Sequence, residues 1–223
     1  MADRHSRREA AQRVATEASP VAMGLFRQAL DVVAKSDDSP VTIADQNTEK
    51  CIREALEQAF PGETIFGEEF GQSGTQDDMW IVDPIDGTRS FITGLPLFGM
   101  LLGYVSDGVP QVGVINMPAL KELYSGARGL GATLNGSPIA VSTCRGLLDA
   151  RLFLNEADKL ATDLPAVFSR LVTAGALRRL GADCYPHALV ASGHADAVVD
   201  YLRALGITAI ELLPVQAFID ERF

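Results

Sequence analysis

Residues 80–104, WIVDPIDGTRSFITGLPLFGMLLGY, decide how the rest of the chain is read. The run Trp80-Ile81-Val82 is apolar and short, as a buried strand is, and it ends abruptly at Asp83. A second carboxylate, Asp86, follows three residues later, and Gly87 and Thr88 come directly after it. Pro84 cannot donate to a sheet ladder and Gly87 accepts positive φ, so the pattern predicts a strand that stops at Asp83 and a chain that turns. Both carboxylates then sit at one strand end. Residues 88–91 predict the first turn of a helix, whose backbone N–H groups at Gly87 and Thr88 face the same point.

Two carboxylates beside a helix N-terminus suit a hard divalent cation and a phosphate together. Carboxylate oxygens hold Mg²⁺, and the metal cancels the charge that would repel a phosphate dianion. The same residues have a plainer use, because Asp in loops most often caps a turn or a helix. For an isolated D-P-x-D that plainer use is the better reading. The longer string D-P-I-D-G-T after an apolar strand, however, resembles the signature of the inositol monophosphatase family of Mg²⁺-dependent phosphomonoesterases.

Two upstream segments extend the resemblance. V-T-I-A-D at residues 41–45 predicts a brief extended piece leading into a helix over residues 46–60, with Ile52, Ala55 and Leu56 on its buried face. Asp45 alone reads as that helix's N-cap, while the matching family segment supplies a carboxylate that positions or activates the attacking water. Residues 64–66 predict a strand running into Gly67-Glu68-Glu69, which matches the family's G-E-E motif; by resemblance Glu68 is a metal ligand. The resemblance implies that Glu68, Asp83 and the Ile85 carbonyl hold one Mg²⁺, and that Asp83, Asp86 and Glu211 hold a second. It also implies that Asp45 and Thr88 orient the water, and that Asp86, Gly87 and Thr88 line the phosphate.

Composition bounds the alternatives. The chain has 223 residues, 47% of them hydrophobic, enough for one sizeable domain or two tightly joined halves. Against 29 acidic side chains stand 19 basic ones, a net charge of −10 with no Lys/Arg-rich run, which argues against a nucleic-acid partner. Cys51, Cys144 and Cys184 form no C-x-x-C pair, so neither a disulfide framework nor a zinc site is expected. The N-terminal residues carry no continuous apolar segment, and residues 95–105 fall far short of the ~20 a membrane span needs. A cytoplasmic protein without membrane attachment is the expectation. His5, His187 and His194 lack metal-ligand spacing and read as surface or satisfied structural residues.

Elsewhere residues 6–18 have helical composition, and Ser19-Pro20 predicts a second helix, serine as N-cap and proline at the first position, running to about residue 34. Residues 97–105 and 109–116 predict an antiparallel pair joined through Ser106-Asp107-Gly108. The glycine-rich 124–136 lacks any nucleotide-cradle context and predicts a further hairpin. The second half alternates: strand 151–154, helix 158–172, strand 177–180, helix 184–192, strand 195–200. Asp183 precedes a helix and reads as its N-cap. Yet the string G-A-D-C-Y-P-H-A-L-V-A-S-G-H-A-D, with S-F-I-T-G-L-P-L-F-G at residues 90–99, resembles the histidinol-phosphatase branch, where the matching Asp lies near the organic part of the substrate.

The resemblance spans roughly residues 20–200 and weakens beyond Asp200, where family members carry an aromatic-Asp pair and a Gly-Gly turn. Here the sequence reads YLRALGITAIELLPVQAFIDERF, with Glu211 the substitute for that Asp and equally readable as a surface residue. The expected fold is α/β (α+β), a layered αβαβα sandwich of the inositol monophosphatase kind with an incomplete C-terminal part. Residues 1–143 form the metal- and phosphate-binding half and residues 144–223 the substrate-side half. An unfinished edge would favour a homodimer. The expected activity is Mg²⁺-dependent hydrolysis of a small phosphate monoester, L-histidinol phosphate first and inositol 1-phosphate second. A non-catalytic relative is the rival reading. A haloacid-dehalogenase phosphatase is disfavoured, since its D-x-D string spaces the aspartates by two.

Overall fold

The computed structural model describes residues 3–29, 32–34, 40–75 and 77–200. In chain order, α1 (Arg4–Leu25) is followed by the short pair β1 (Val33–Ala34) and β2 (Pro40–Val41), then α2 (Ile43–Ala59). Next come β3 (Thr64–Gly67), β4 (Gly71–Ser73), β5 (Met79–Asp86), α3 (Thr88–Ile92), β6 (Gly99–Ser106) and β7 (Val109–Met117). A meander of β8 (Glu122–Ala127), β9 (Gly131–Leu134) and β10 (Ser137–Ile139) completes the first half. The second half holds β11 (Arg151–Leu154), α4 (Ala157–Asp163), α5 (Pro165–Leu171), β12 (Leu177–Leu180), α6 (Tyr185–Ala191) and β13 (Ala197–Val199). Among these residues no helix is long and apolar enough to cross a membrane.

The main sheet has the order β10-β9-β8-β7-β6-β5-β3-β4, antiparallel except where β3 lies parallel to β5. Its central strands are apolar on both faces. Met100, Leu102 and Tyr104 of β6 and Val112 and Val114 of β7 pack with Ala11, Val14, Ala15 and Ala18 of α1 and Ile52 and Leu56 of α2. The alternate residues Leu101, Ile115 and Met117 pack on the other face, against Cys184, Ala188 and Ala191 at α6. Because the strands are covered on both sides, residues 95–105 read as a nearly continuous apolar run.

The far side of α6 carries the second sheet, parallel, with the order β12-β11-β13. Val190 on α6 packs with Ala195 and Val198. The step from β11 to β12 and the step from β12 back past β11 to β13 run in opposite directions. Right-handed crossovers therefore put α4 and α5 on the face opposite α6. The layers are helix, sheet, helix, sheet, helix, as the resemblance implies.

Pro20 and Pro165 act on their helical segments with opposite outcomes. At Ser19-Pro20 the expected new helix does not start; α1 runs straight through and ends at Leu25, so Val32 and Val33 belong to no helix and are exposed. Ala15, Ala18 and Ala22 are fully buried on either side of the proline, and Asn116 Nδ2 donates to Ala15 O at 3.0 Å and to Ser19 Oγ at 2.8 Å. This packing outweighs a proline penalty of about 3 kcal/mol. At Pro165 the expected helix over 158–172 does break, into α4 and α5, with Leu164 out of helical conformation at φ −132°, ψ 55°. None of the α5 residues is buried, so nothing opposes the bias of a pre-proline residue.

Arg7 on α1 is buried, and its guanidinium donates to both Glu63 oxygens at 2.7 Å. It lies 3.7 Å from the Tyr104 ring centroid and 4.8 Å from that of Phe60, and Trp80 Nε1 donates to Glu63 at 3.0 Å. Arg7→Ala would leave Glu63 without its cation and open a void among three rings, so it should lower stability by about 3 kcal/mol in urea titration. In the second half, Asp196 accepts from Arg151 N at 2.7 Å and from Arg151 Nε at 2.9 Å, and also from Ser142 Oγ. Chiefly the Arg151 hydrogen bonds hold its carboxyl well below the usual range. A depressed folded-state pKa stabilises fully above the unfolded value of about 3.9, and the effect fades as pH falls. Asp196→Asn should therefore be less stable than the parent at neutral pH, and the gap between the two denaturation midpoints should narrow as pH falls below about 4.

Candidate active site

The strand β5 does not stop at Asp83. It continues through Pro84 to Asp86, with Asp83 opposite Leu101 and Asp86 opposite Gly99 on β6, so three steps on β5 match two on β6. That extra residue is a β-bulge, which removes the need for Pro84 to donate while keeping the strand in the sheet. The two carboxylates still come together, on the bulge rather than beyond a strand end. Asp83 Oδ1 accepts from Ile85 N at 3.2 Å. Gly87, at φ 83°, is the N-cap of α3, which has no side-chain cap.

Asp45 reaches the same place from α2. Thr42, not Asp45, is the N-cap; the helix begins three residues earlier than the sequence suggests, and Asp45 is the return arm of a capping box. Its Oδ2 accepts from Thr42 N at 2.8 Å and Thr42 Oγ1 at 2.7 Å, while Oδ1 lies 3.3 Å from Thr88 Oγ1. The Thr88 hydroxyl also stands 3.1 Å from the Ile85 carbonyl, so its one proton serves either acceptor.

Asp183 arrives from the opposite side. It does not cap α6, whose N-cap position is Cys184 without a side-chain cap bond. Its Oδ2 accepts from Ser90 Oγ at 2.6 Å and stands 2.9 Å from where a Cβ on Gly87 would be. Likewise a Cβ on Gly99 would meet Cys184 Sγ at 2.7 Å. Two glycines thus let the β12–α6 turn lie directly over the bulge. The turn is strained, with Ala182 at φ 104° and Asp183 at φ 51°, and Asn155 Nδ2 holds it by donating to Asp183 O at 2.9 Å.

The electrostatics follow from crowding. Burial first, then the charges of Asp86 and Glu68, a hydrogen bond with Glu68 and the charge of Asp45, push the Asp83 carboxyl well above its ordinary range. Asp86 is pushed up to about 6, mainly by burial; hydrogen bonds from Cys184 oppose this and the charge of Asp183 adds to it. Asp45 and Asp183 are also raised, in both cases chiefly by burial. Asp86 Oδ2 is buried with no hydrogen-bond partner among the described residues. Hard oxygen donors that repel one another, one of them orphaned, fit a divalent cation such as Mg²⁺. Among the described residues no three Asp, Glu, His or Cys side chains already converge as a metal cage. Glu211 lies outside the described residues.

Ser90 and Asn155, which fasten the Asp183 turn, are not singled out by the sequence; for Ser90 the available signal is its place one helical turn past Gly87. His187 departs from the expectation of a surface or satisfied residue. It is mostly buried, with Nε2 3.1 Å from Asp200 Oδ2, and its Nδ1 is buried without a partner among the described residues. His5 pairs with Glu9 on the surface, and His194 Nδ1 lies 3.0 Å from Ser192 Oγ.

The chain is 43% identical over 196 residues to a histidinol-phosphatase of Chlorobaculum parvum, a match covering 86% of this chain and 75% of that protein. It is 39% identical to the chloroplastic bifunctional phosphatase IMPL2 of Arabidopsis thaliana, over 78% of this chain and 51% of the relative. Among solved structures, an inositol monophosphatase from Zymomonas mobilis superposes with a TM-score of 0.77 at 35% identity, covering 89% of this chain and 78% of that one. The sequence model of the inositol monophosphatase family matches residues 3–204. With the bulged D-P-I-D-G-T strand, Asp45 in its capping box and the layered sandwich in place, the chain belongs to the inositol monophosphatase family.

Proposed function

We propose that this chain is a Mg²⁺-dependent phosphomonoesterase with L-histidinol phosphate as its preferred substrate. The observation that carries the substrate choice is the Asp183 carboxylate, held by Ser90 against Gly87 beside Asp83 and Asp86. An anion at that place suits an amine and an imidazole, and is of less use to a neutral cyclitol. Its histidinol-phosphatase relative agrees with that chemistry.

Glu68, Asp83, Asp86 and the Ile85 carbonyl would hold Mg²⁺, with Glu211 the candidate for a further ligand. When bound, the metal supplies charge neutralisation for the phosphate and a water of lowered pKa. The Thr88 hydroxyl donates to Asp45 or to the Ile85 carbonyl, so its oxygen keeps lone pairs that accept from the attacking water and fix its direction. The N–H groups at Gly87 and Thr88, where α3 begins, would donate to phosphate oxygens. Asp183 holds the organic part of the substrate, and direct attack by water needs no covalent intermediate.

The Zymomonas inositol monophosphatase match makes inositol 1-phosphate the second substrate to test. In phosphate-release assays the parent should hydrolyse L-histidinol phosphate faster than inositol 1-phosphate, and chelation should abolish both reactions. Asp183→Asn should raise KM for histidinol phosphate by about tenfold, the effect of about 1.4 kcal/mol, and leave inositol phosphate nearly unaffected. Equal rates on the two substrates would overturn the substrate assignment. Asp83→Asn should fold yet lose more than about a hundredfold in kcat/KM, because it removes the carboxylate placed between the other acids. Full activity in that variant would overturn the metal reading.

A further inference from the structure

Glu49 on α2 is fully buried, yet it is a carboxylate. A buried anion is costly unless its oxygens are satisfied, and packing alone would be served better by an aliphatic side chain. Its bonds show what it holds. Oε2 accepts from the backbone N–H of Glu69 at 2.7 Å, and Oε1 accepts from that of Phe70 at 3.3 Å. Arg53, one turn further along the helix, donates from Nε to Oε1 at 2.7 Å. The same guanidinium donates to Ser73 Oγ at 3.0 Å and to the Gly71 carbonyl. Gly67 makes room, since a Cβ there would collide with the Glu49 carboxylate.

These contacts enclose the turn that follows β3, the turn whose first residue is Glu68. Glu68 N donates to Val82 O at 3.1 Å, so the turn is tied to β5 on one side and to Glu49 on the other. The Glu68 carboxylate stands near enough to Asp83 for its charge to raise the Asp83 carboxyl. Glu49 also lies four residues after Asp45, on the same helix face. One rigid helix therefore sets two groups of the site, Asp45 directly and Glu68 through Glu49.

We infer that Glu49 is a positioning residue: with Arg53 as its brace, it fixes the backbone of turn 68–70 so that the Glu68 carboxylate is presented to Asp83 for metal binding. The inference rests on the proposed metal role of Glu68. An outer partner of this kind acts on metal affinity, and its loss weakens binding by about 10- to 100-fold. Glu49→Gln keeps the shape of the side chain but replaces one acceptor with a donor that faces an N–H or a guanidinium.

The test compares the parent, Glu49→Gln and Arg53→Lys, each as the full chain, by direct binding of Mn²⁺ followed in its EPR signal and by amide hydrogen exchange without metal. Arg53→Lys keeps the charge and loses the fork, so it serves if Glu49→Gln does not fold. The expected result is faster exchange at Glu69 and Phe70 and a Kd for Mn²⁺ raised about tenfold or more in Glu49→Gln, with a smaller shift in the same direction in Arg53→Lys. Faster exchange at those amides with unchanged Mn²⁺ affinity would show a merely structural brace and overturn the inference. A parent that binds no Mn²⁺ would overturn the metal reading itself, and the inference with it.

Discussion

Negative charge gathered at one place is the constraint on which the rest of this structure turns. Asp83, Asp86, Glu68 and Asp45 lie close enough to raise the Asp83 carboxyl together, and Asp183 adds to the burden on Asp86. In a partly desolvated setting such a group repels itself, and nothing in the motif neutralises it. Neutral donors hold most of the carboxylates in place: Thr42 on Asp45, Ile85 N on Asp83, Cys184 on Asp86 and Ser90 on Asp183. A direct ion pair would neutralise the cluster, and these donors leave its charge in place. Arg53 is kept one step back, on Glu49, where it stiffens the site without filling it.

The architecture eases this repulsion through the direction of its helices. Thr42, Gly87 and Cys184 are the N-caps of α2, α3 and α6, and all three adjoin the carboxylates. The positive end of each helix thus meets the acid cluster, an effect worth a few tenths to about 1 kcal/mol per terminus. The stability to tolerate the remainder comes from the sheet. β6 and β7 bury side chains on both faces, so the bulge on β5 is anchored to strands that cannot shift without disrupting two cores at once.

Where the sequence was legible, a short pattern and its surroundings agreed. The apolar strand before D-P-I-D-G-T, the glycine after it and the alternation of the second half are local signals, and the sheets and crossovers follow them. The misread features are those decided by tertiary burial. Pro20 looks like a helix start and is not, because alanines on both sides of it are buried; Pro165 looks like mid-helix and is a break, because no residue of α5 is buried deeply enough to hold the helix together. Pro84 looks like a strand terminator, but a bulge accommodates it once β6 lies alongside. For Asp183 the sequence offered a cap and a substrate contact together; the cap is absent, because α6 begins one residue later, with Cys184 at the N-cap position, and the Asp183 carboxylate accepts from Ser90 instead. Glu49 was illegible for another reason: a single acid in an amphipathic helix has no motif, and only its burial marks it out.

The two sides of the site are held in physically different ways. On the acid-rich side, strand pairing, a capping box and main-chain hydrogen bonds to Glu49 fix each group, so displacing one disturbs a regular element. On the Asp183 side the chain crosses the site in a short turn with positive φ at Gly181, Ala182 and Asp183, fastened chiefly by Ser90 and Asn155. Strain of this order, about 1–3 kcal/mol for each unfavourable residue, is offset by a few side-chain bonds and the tight fit over Gly87 and Gly99. A change of residue in that turn can relax or redirect it without moving the bulge. The fold thereby separates what is held rigidly, the spacing of the buried carboxylates on the bulge and α2, from what can vary, the turn that carries Asp183.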